Sequence, residues 1–386
     1  MQINRRGYLR EVFCACLFFS TLSASGANEG SQPKGLYVKG GVLMRRGHSY
    51  SGIGANYDTL FGRLLQGKSD SSSLDNLALL GDKGIPFVRF RACGFSPRNV
   101  DLYLKDRSEY FRRMDQVVRC AEQHHIGLIP SLFWRLATVS EVVGEAPNQL
   151  GDPRSKAIAF IKQYTAEMVG RYKDSPAIWG WEFGNEANLG VDLPRSGTGG
   201  GRSLFSGGDG GVRLTTDQLG VAYTSFARVV RSIDPSRVID SGTTIPRPAG
   251  WHNANGQPRE RDSEAQSYAI LSRQNPDPLN LLSVHIYQKS QKLQPYGPES
   301  VGQFISRYAR YAAKAGKPLF IGEFPTRDRS QTNEYLQAIK DNHVPLSAFW
   351  TFDNSQQDRT MNVTFQNERS FVIDLVVKAN QGLHSP

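Results

Sequence analysis

Short apolar runs alternate with amphipathic stretches along most of the chain. The runs are about five to seven residues long and rich in Ile, Val, Leu, Phe and Trp, which is typical of parallel strands buried on both faces. The stretches between them repeat apolar residues every three or four positions, as helices packed on a sheet do. The alternation therefore predicts βαβ units and a parallel sheet.

Eight runs predict eight strands, at 51–56, 85–91, 126–132, 177–183, 237–241, 281–287, 318–323 and 346–352. Helical periods are predicted at 74–83, 110–121, 153–172, 215–233, 299–315, 331–342 and 369–379. The opening segment 36–47 predicts a β-hairpin that closes the floor of a barrel. We expect an α/β fold, a (β/α)8 TIM barrel with an N-terminal β-hairpin.

Long insertions are predicted after strands four, five and eight, on the face where such a barrel builds its active site. Residues 190–211 contain nine glycines and cannot pack a core, and 246–263 is a long polar loop. No Pro- or Ser-rich linker separates a second domain, so residues 28–386 are predicted to be one catalytic domain. A phosphate-binding barrel is disfavoured, because no Gly-rich turn follows strand seven.

The first 27 residues have the pattern of an export signal. Arg5, Arg6 and Arg10 precede a short apolar run at 12–19, and small residues follow it. We expect cleavage, export to the periplasm or the extracellular space, and no stable membrane insertion afterwards. An uncleaved anchor is the alternative, for which the apolar run is short.

Charge and cysteine content narrow the function classes. The formal net charge is +10, but no basic run has interleaved aromatic residues, so we expect no nucleic-acid partner. Cys14 and Cys16 belong to the signal, and Cys93 and Cys120 are predicted to lie at opposite poles, too far apart to bridge. We expect two free thiols and no metal site. The chain is further expected to be a monomer.

Two glutamates end predicted strands that lie across the barrel from each other. Glu186 follows strand four and Glu323 ends strand seven, so their carboxyl groups can converge over the barrel axis. Two carboxyl groups about 5 Å apart are what a retaining glycosidase needs. A carboxylate at a strand end is, however, more often a helix cap or an ion-pair partner.

Neighbouring residues favour glycan chemistry. Asn185 can hydrogen-bond a sugar 2-hydroxyl, and Trp350 offers a flat apolar face to a sugar ring. His285 and Tyr287 lie two apart and point to one face, where Tyr287 can hold the nucleophile and His285 can bind sugar or orient the acid.

Buried charge gives a further indication. Arg89 lies among apolar residues of strand two and needs a carboxylate partner, for which Glu323 is the candidate. Such a pair keeps the carboxylate ionised. Glu182 precedes the Asn185-Glu186 pair on the same predicted strand. By alternation along the strand, it is expected to point away from Glu186. Trp179 is expected to pack in the core.

With these residues the sequence resembles clan A of the glycoside hydrolases, most closely family 5, the cellulase and β-mannanase group. The resemblance spans roughly residues 36–355 and is carried by the motifs Trp181-Glu182-Phe183-Gly184-Asn185-Glu186, Ile321-Gly322-Glu323-Phe324, His285-Ile286-Tyr287 and Val88-Arg89. It implies retaining hydrolysis of a β-linked glycan without a cofactor, with Glu323 as nucleophile and Glu186 as acid/base.

One departure bears on the substrate. Many family cellulases carry His at the end of strand three, whereas this chain has Trp134 there, which can stack on a sugar as in some mannanase-like members. The resemblance thus favours endo-acting hydrolysis of β-1,4-mannan or a related β-1,4-glycan. An exo-acting β-glycosidase, a transglycosylase and a non-catalytic glycan-binding barrel are the alternatives.

Overall fold

The computed structural model describes residues 33–66, 72–93, 97–193, 214–257, 260–287 and 299–383. The predicted signal at 1–27 and most of the Gly-rich segment 190–211 lie outside the described residues. Residues Pro33–Pro386 form one compact unit. The assignment of a single domain to 28–386 stays a prediction.

Eight parallel strands follow one another around a nearly closed barrel, in the order β8-β7-β6-β5-β4-β11-β10-β9. Across the remaining gap, the backbone N–H of Asn280 donates to the carbonyl of Ile239 at 2.9 Å. The predicted (β/α)8 barrel is confirmed. Its strands are β4 (Gly52–Asn56), β5 (Phe87–Arg91), β6 (Gly127–Phe133), β7 (Gly180–Gly184), β8 (Val238–Asp240), β9 (Leu282–His285), β10 (Leu319–Pro325) and β11 (Leu346–Trp350).

An antiparallel sheet precedes the barrel, as the hairpin pattern predicts. It consists of β1 (Leu36–Lys39), β2 (Val42–Arg45) and β3 (His48–Ser49). The N–H of Leu36 donates to the carbonyl of Trp179 at 2.8 Å, which ties this sheet to the barrel. Leu36 and Trp179 share one buried apolar cluster with Phe87, Phe320 and Leu346, so Trp179 packs in the core as expected.

Helices cover the outside of the barrel. They are α1 (Leu60–Leu65), α2 (Ser72–Asp82), α3 (Pro97–Lys105), α4 (Arg107–Gln123), α5 (Ala137–Val143), α6 (Lys156–Tyr172), α7 (Thr216–Ile233), α8 (Gly250–Ala254), α9 (Glu264–Arg273), α10 (Val301–Ala315), α11 (Arg329–Asp341) and α12 (Phe371–Leu383). Capping boxes at Thr215, Ser263 and Ser300 satisfy backbone N–H groups where α7, α9 and α10 begin. Among the described residues, no helix combines the length and apolar character that a membrane span requires.

The interior of the barrel changes from apolar to polar along its axis. Phe87 on β5 and Val238 on β8 belong to the apolar cluster at one end. Two residues further along the same strands, Arg89 and Asp240 are buried polar groups. Parallel strands alternate their side chains with a period of two, so both pairs face inward, and the polar layer lies towards the carboxyl ends of the strands. Cys93 and Cys120 are both free, as predicted.

Candidate active site

The two glutamates singled out by the sequence come together at the carboxyl end of the barrel. Glu323 lies on β10, and Glu186 follows β7 by two residues. One carboxylate oxygen of each and a ring nitrogen of His285 all lie within 4.8 Å of one another. This separation suits a glycosidic bond held between a nucleophile and an acid, for which about 5 Å is typical of retaining enzymes.

Arg89 connects the groups of the site. Its Nη1 donates to Glu323 at 3.0 Å and to Asn56 at 2.9 Å. Its Nε donates to Glu182 at 2.6 Å, and its Nη2 donates to Asn185 at 2.8 Å. Burial opposes the charged form, but the two carboxylates outweigh it and raise the pKa of Arg89. The predicted pairing of Arg89 with Glu323 is present.

The expectation for Glu182 is wrong. Its carboxylate faces the barrel interior, on the side of the site, and forms a fully buried ion pair with Arg89. The alternation of a strand with period two places residues 182 and 186 on the same side, and a desolvated guanidinium with several nitrogens needs more than one acceptor. The sequence motif shows that a glutamate is present at position 182. Its role depends on the ion pair with Arg89, which lies on another strand.

Glu323 is held by donors on three sides. Tyr287 donates its hydroxyl to one carboxylate oxygen, while Arg89 and His285 lie beside the other, His285 at 3.4 Å. Burial raises the pKa of Glu323, and the charge of Glu186 adds to this, while His285, Arg89 and Tyr287 favour the charged form. The side chain is only 5% exposed. A dry carboxylate with fixed donors can act as a positioned nucleophile.

Glu186 is the more accessible carboxylate, with a side chain 27% exposed. His285 Nδ1 lies 3.0 Å from it. Burial raises the pKa of Glu186 above its ordinary value, against the charge of Arg89 and a hydrogen bond from Thr244. A carboxyl group with a raised pKa and access to water can serve as general acid and then as general base.

The backbone at Glu186 is held in an uncommon conformation. Its φ is +49°, in the left-handed region, and its N–H donates to the carbonyl of Gly242 at 2.8 Å. Gly242 also has a positive φ, +64°, and a Cβ there would lie 1.7 Å from the carbonyl oxygen of Gly184. Only glycine fits this position, so the turn after β8 directly shapes the backbone that carries Glu186.

Burial favours the neutral form of His285 in the folded protein. Its side chain is fully buried. Burial lowers its pKa to about 4, although Glu323 acts in the opposite direction. A neutral imidazole can exchange a hydrogen bond with Glu186 without adding charge to the site. This position fits the sequence expectation that His285 orients the acid.

Two tryptophans flank the carboxylates. Trp134 follows β6 and Trp350 ends β11, and their rings stack with centroids 6.2 Å apart and planes 21° apart. The guanidinium of Arg89 lies 4.6 Å from the Trp134 ring centroid. Both rings line a cleft of about 850 Å³ that also contains Asn185 and Glu186. Trp134 is buried, and the half-buried Trp350 offers an apolar ring face to the cleft beside Glu186.

The residue types at the centre also match metal ligands. Glu186, His285 and Glu323 each offer one ligand atom within 4.8 Å of the others. The guanidinium of Arg89, 3.0 Å from Glu323, already supplies the positive charge that this carboxylate needs. The arrangement therefore favours acid/base and nucleophilic chemistry over cation binding.

Comparisons with known proteins agree with the fold and with the family resemblance of the sequence. Residues 68–356 match the family model described as "Cellulase (glycosyl hydrolase family 5)". A curated Aspergillus terreus protein, "Probable mannan endo-1,4-beta-mannosidase C", is 55% identical over 42 residues, which cover 10% of this chain and 10% of that protein.

Solved structures match over nearly the whole chain at low identity. An endo-1,4-beta-mannanase from Rhizomucor miehei is 18% identical with a TM-score of 0.61, covering 90% of this chain and 99% of its own. A glycoside hydrolase family 5 mannosidase from Rhizomucor miehei is 12% identical with a TM-score of 0.64, covering 92% and 99%. At such identities the likeness establishes the barrel fold.

Proposed function

Because this chain belongs to glycosyl hydrolase family 5, the cellulase family, we propose that it hydrolyses β-1,4-mannan or a related β-1,4-glycan with retention of anomeric configuration. The observation that carries this proposal is the approach of Glu186 and Glu323 to within 4.8 Å at the carboxyl end of the barrel. That spacing leaves room for a covalent glycosyl-enzyme and no room for a water molecule attacking from the opposite side of the sugar.

In the first step, Glu323 attacks the anomeric carbon and Glu186 protonates the leaving oxygen. Arg89 and Tyr287 hold the attacking carboxylate in place. Asn185, whose side-chain oxygen accepts from Arg89, is oriented to meet the sugar 2-hydroxyl.

In the second step, Glu186 deprotonates a water molecule, which displaces Glu323 from the sugar. The covalent bond removes the negative charge of Glu323, and the loss of a neighbouring like charge lowers the pKa of Glu186. Glu186 then ionises more readily and becomes the base. Its partial exposure gives the water a path.

Mannan is favoured over cellulose by three observations. The Aspergillus terreus relative is named for mannan, and a Rhizomucor miehei neighbour is named an endo-1,4-beta-mannanase. Trp134 stands where many family cellulases carry His. Because the curated alignment covers only 10% of that relative, substrate and mode of action belong to the proposal.

An exo-acting β-mannosidase is the second candidate, favoured by the structural match to a family 5 mannosidase. The two activities leave different products. We further propose, from the pattern of the first 27 residues, that the enzyme acts outside the cytoplasm. Its proposed partner is a polysaccharide or oligosaccharide and not a nucleic acid, because the sequence has no basic run with interleaved aromatic residues. We also propose that it is a monomer.

The decisive experiment incubates the enzyme with mannan, β-glucan, xylan and galactan and records product sizes over time. A mixture of oligosaccharides from mannan supports endo action, mannose alone supports exo action, and NMR of the first product reports the anomer. Glu323→Ala and Glu186→Gln should abolish turnover, whereas Glu334→Gln, an exposed glutamate on α11, should not. Activity that survives in Glu323→Ala would refute the mechanism.

A further inference from the structure

Four carboxyl groups surround one buried guanidinium inside the barrel. Arg89 forms ion pairs with Glu182 and Glu323, and the charges of Asp240 and Glu186 also act within this group. One cation cannot balance four neighbouring anions, of which Glu182, Glu323 and Asp240 are buried, so a proton on at least one of these carboxyl groups is expected. The proposed chemistry accounts for a proton on Glu186, and the state of Asp240 remains to be explained.

Asp240 lies directly beside Glu182. The two residues are register partners on neighbouring strands, β8 and β7, and both are buried, Asp240 with 1% exposure. Register partners on neighbouring parallel strands place their side chains on the same face of the sheet, and the charge of Glu182 acts on Asp240 there. Yet Glu182 Oε1 and Asp240 Oδ2 both lack a donor among the described residues. Two ionised carboxylates cannot donate to each other, whereas a single shared proton satisfies both orphaned oxygens.

We infer that Asp240 is a protonated acid that donates to Glu182, and that the two form a positioning unit beneath the proposed catalytic carboxyls. The inference rests on the proposed function for its catalytic consequence and on the geometry for the shared proton. One negative charge then stays on Glu182, where Arg89 lies 2.6 Å away.

The Asp240–Glu182 unit is connected to each proposed catalytic residue through one intermediate residue. Through Glu182 it holds Arg89, whose Nη1 donates to Glu323. Through Asp240 Oδ1 it accepts the N–H of Gly242 at 2.8 Å, and the carbonyl of Gly242 accepts the N–H of Glu186, also at 2.8 Å. One buried carboxyl pair therefore fixes the guanidinium at the nucleophile and the backbone of the acid/base.

The surroundings of Asp240 favour its protonated, neutral form. Burial raises the pKa of Asp240 well above its ordinary value, and Glu182 adds to this, while the N–H of Gly242 and the charge of Arg89 oppose it. Tyr223, from α7, also interacts with Asp240, and burial raises its own pKa. It therefore brings no charge near neutral pH.

The test compares Asp240→Asn with Asp240→Ala in the full chain. Asparagine can donate to Glu182 through its amide nitrogen and accept from Gly242 through its oxygen, as a protonated Asp240 does. Alanine can do neither. We expect D240A to lose about 100-fold in kcat with a smaller change in KM, and D240N to recover most of that loss, to within about threefold of the wild type.

The infrared spectrum reports the proton directly. The wild type at neutral pH should show the C=O stretch of a protonated carboxylic acid that D240N lacks, measured in a Glu186→Gln background to remove the other protonated carboxyl. Absence of a difference would overturn the inference. So would a folded D240N as inactive as D240A, or a Glu182→Gln variant that keeps full activity while D240N does not.

Failure of this inference is distinguishable from failure of the proposed function. An enzyme inactive on every glycan tested would refute the proposed function, and the infrared band would still decide whether Asp240 is protonated. An enzyme active on mannan without that band would keep its function and lose the positioning unit. If D240A does not fold, the D240N spectrum and thermal unfolding decide the matter.

Discussion

The guanidinium of Arg89 lies 3.0 Å from the carboxylate of Glu323, in a part of the barrel where the arginine side chain is fully buried. Removing one partner from such a pair leaves an uncompensated buried charge, which costs far more than the pair contributes. The same contact sets the charge state of the proposed nucleophile. Stability and activity are therefore coupled at this pair.

Arg89→Lys should impair both properties. Lysine has a single nitrogen and cannot reach Glu182, Asn56, Glu323 and Asn185 together. We expect kcat/KM to fall about 100- to 1000-fold and the free energy of unfolding to fall by about 3 kcal/mol. Steady-state kinetics and urea unfolding measure these changes.

Arg171→Lys is the matched control for that variant. Arg171 also binds a carboxylate through two nitrogens, that of Asp115, but its side chain is 46% exposed. A surface pair of this kind contributes only about 0–1 kcal/mol. Equal losses in the two variants would contradict a special role for Arg89.

Tyr287→Phe should shift the acidic limb of the pH profile of kcat/KM to higher pH. Tyr287 donates to Glu323, and this hydrogen bond favours the ionised carboxylate. Without it the pKa of Glu323 rises, so a higher pH is needed to form the nucleophile, by on the order of one pH unit. Tyr335→Phe, at a buried tyrosine on α11, should leave the limb in place. A shift towards lower pH in Tyr287→Phe would contradict the assignment.

His285→Gln should weaken the dependence of stability on pH. Burial lowers the pKa of His285 to about 4, whereas an unfolded histidine titrates near 6.5. Between these values the unfolded chain binds more protons, so this histidine makes the wild type less stable as the pH falls below about 6.5. The free energy of unfolding lost between pH 7 and pH 5 should be smaller in His285→Gln by about 2 kcal/mol.

Urea unfolding of both proteins at the two pH values measures that difference. His48→Gln, at an exposed histidine on β3, is the control and should behave as the wild type. If His285→Gln loses as much stability as the wild type on acidification, the histidine is protonated in the folded protein and the neutral assignment is wrong.

Trp350→Ala should raise KM for a polysaccharide by about tenfold, the equivalent of about 1.4 kcal/mol, because it removes an apolar face from the cleft. Trp251→Ala is the control. Trp251 is also a tryptophan, but it lies on α8, outside the described residues that line this cleft. A larger effect in Trp251→Ala than in Trp350→Ala would place the sugar elsewhere.

The regular parts of the fold were predictable from periodicity. The strands carrying Arg89, His285 and Glu323 follow from apolar runs that burial on both faces demands. The short helices α8 and α9 were missed, because polar residues around Trp251 and Tyr268 give no clear apolar face. In these stretches tertiary contacts, such as the hydrogen bonds from Trp251 and His252 to Asp262, decide the structure.

The candidate site was predictable only in part. Glu186 and Glu323 stand out because carboxylates that end strands have an identifiable geometry. Glu182, Asp240 and Gly242 could not be placed in advance, since their roles depend on which strands become neighbours and on a backbone angle. From the sequence alone, a glycine or an acidic residue does not show which guanidinium or carbonyl group it will contact in the folded protein.

Gly242→Ala should be among the most damaging single substitutions in the chain. A Cβ at this position would lie 1.7 Å from the carbonyl oxygen of Gly184, so the turn that accepts the N–H of Glu186 must move. We expect a loss of about 4 kcal/mol or more in the free energy of unfolding, with kcat reduced about 100-fold in any folded fraction. Gly144→Ala isolates the cost of the backbone angle, because Gly144 has φ +68° but nothing within 4 Å of its Cβ position. That variant should lose only about 1–2 kcal/mol and keep its activity; equal losses would mean that strain, and not the contact with Gly184, explains the glycine.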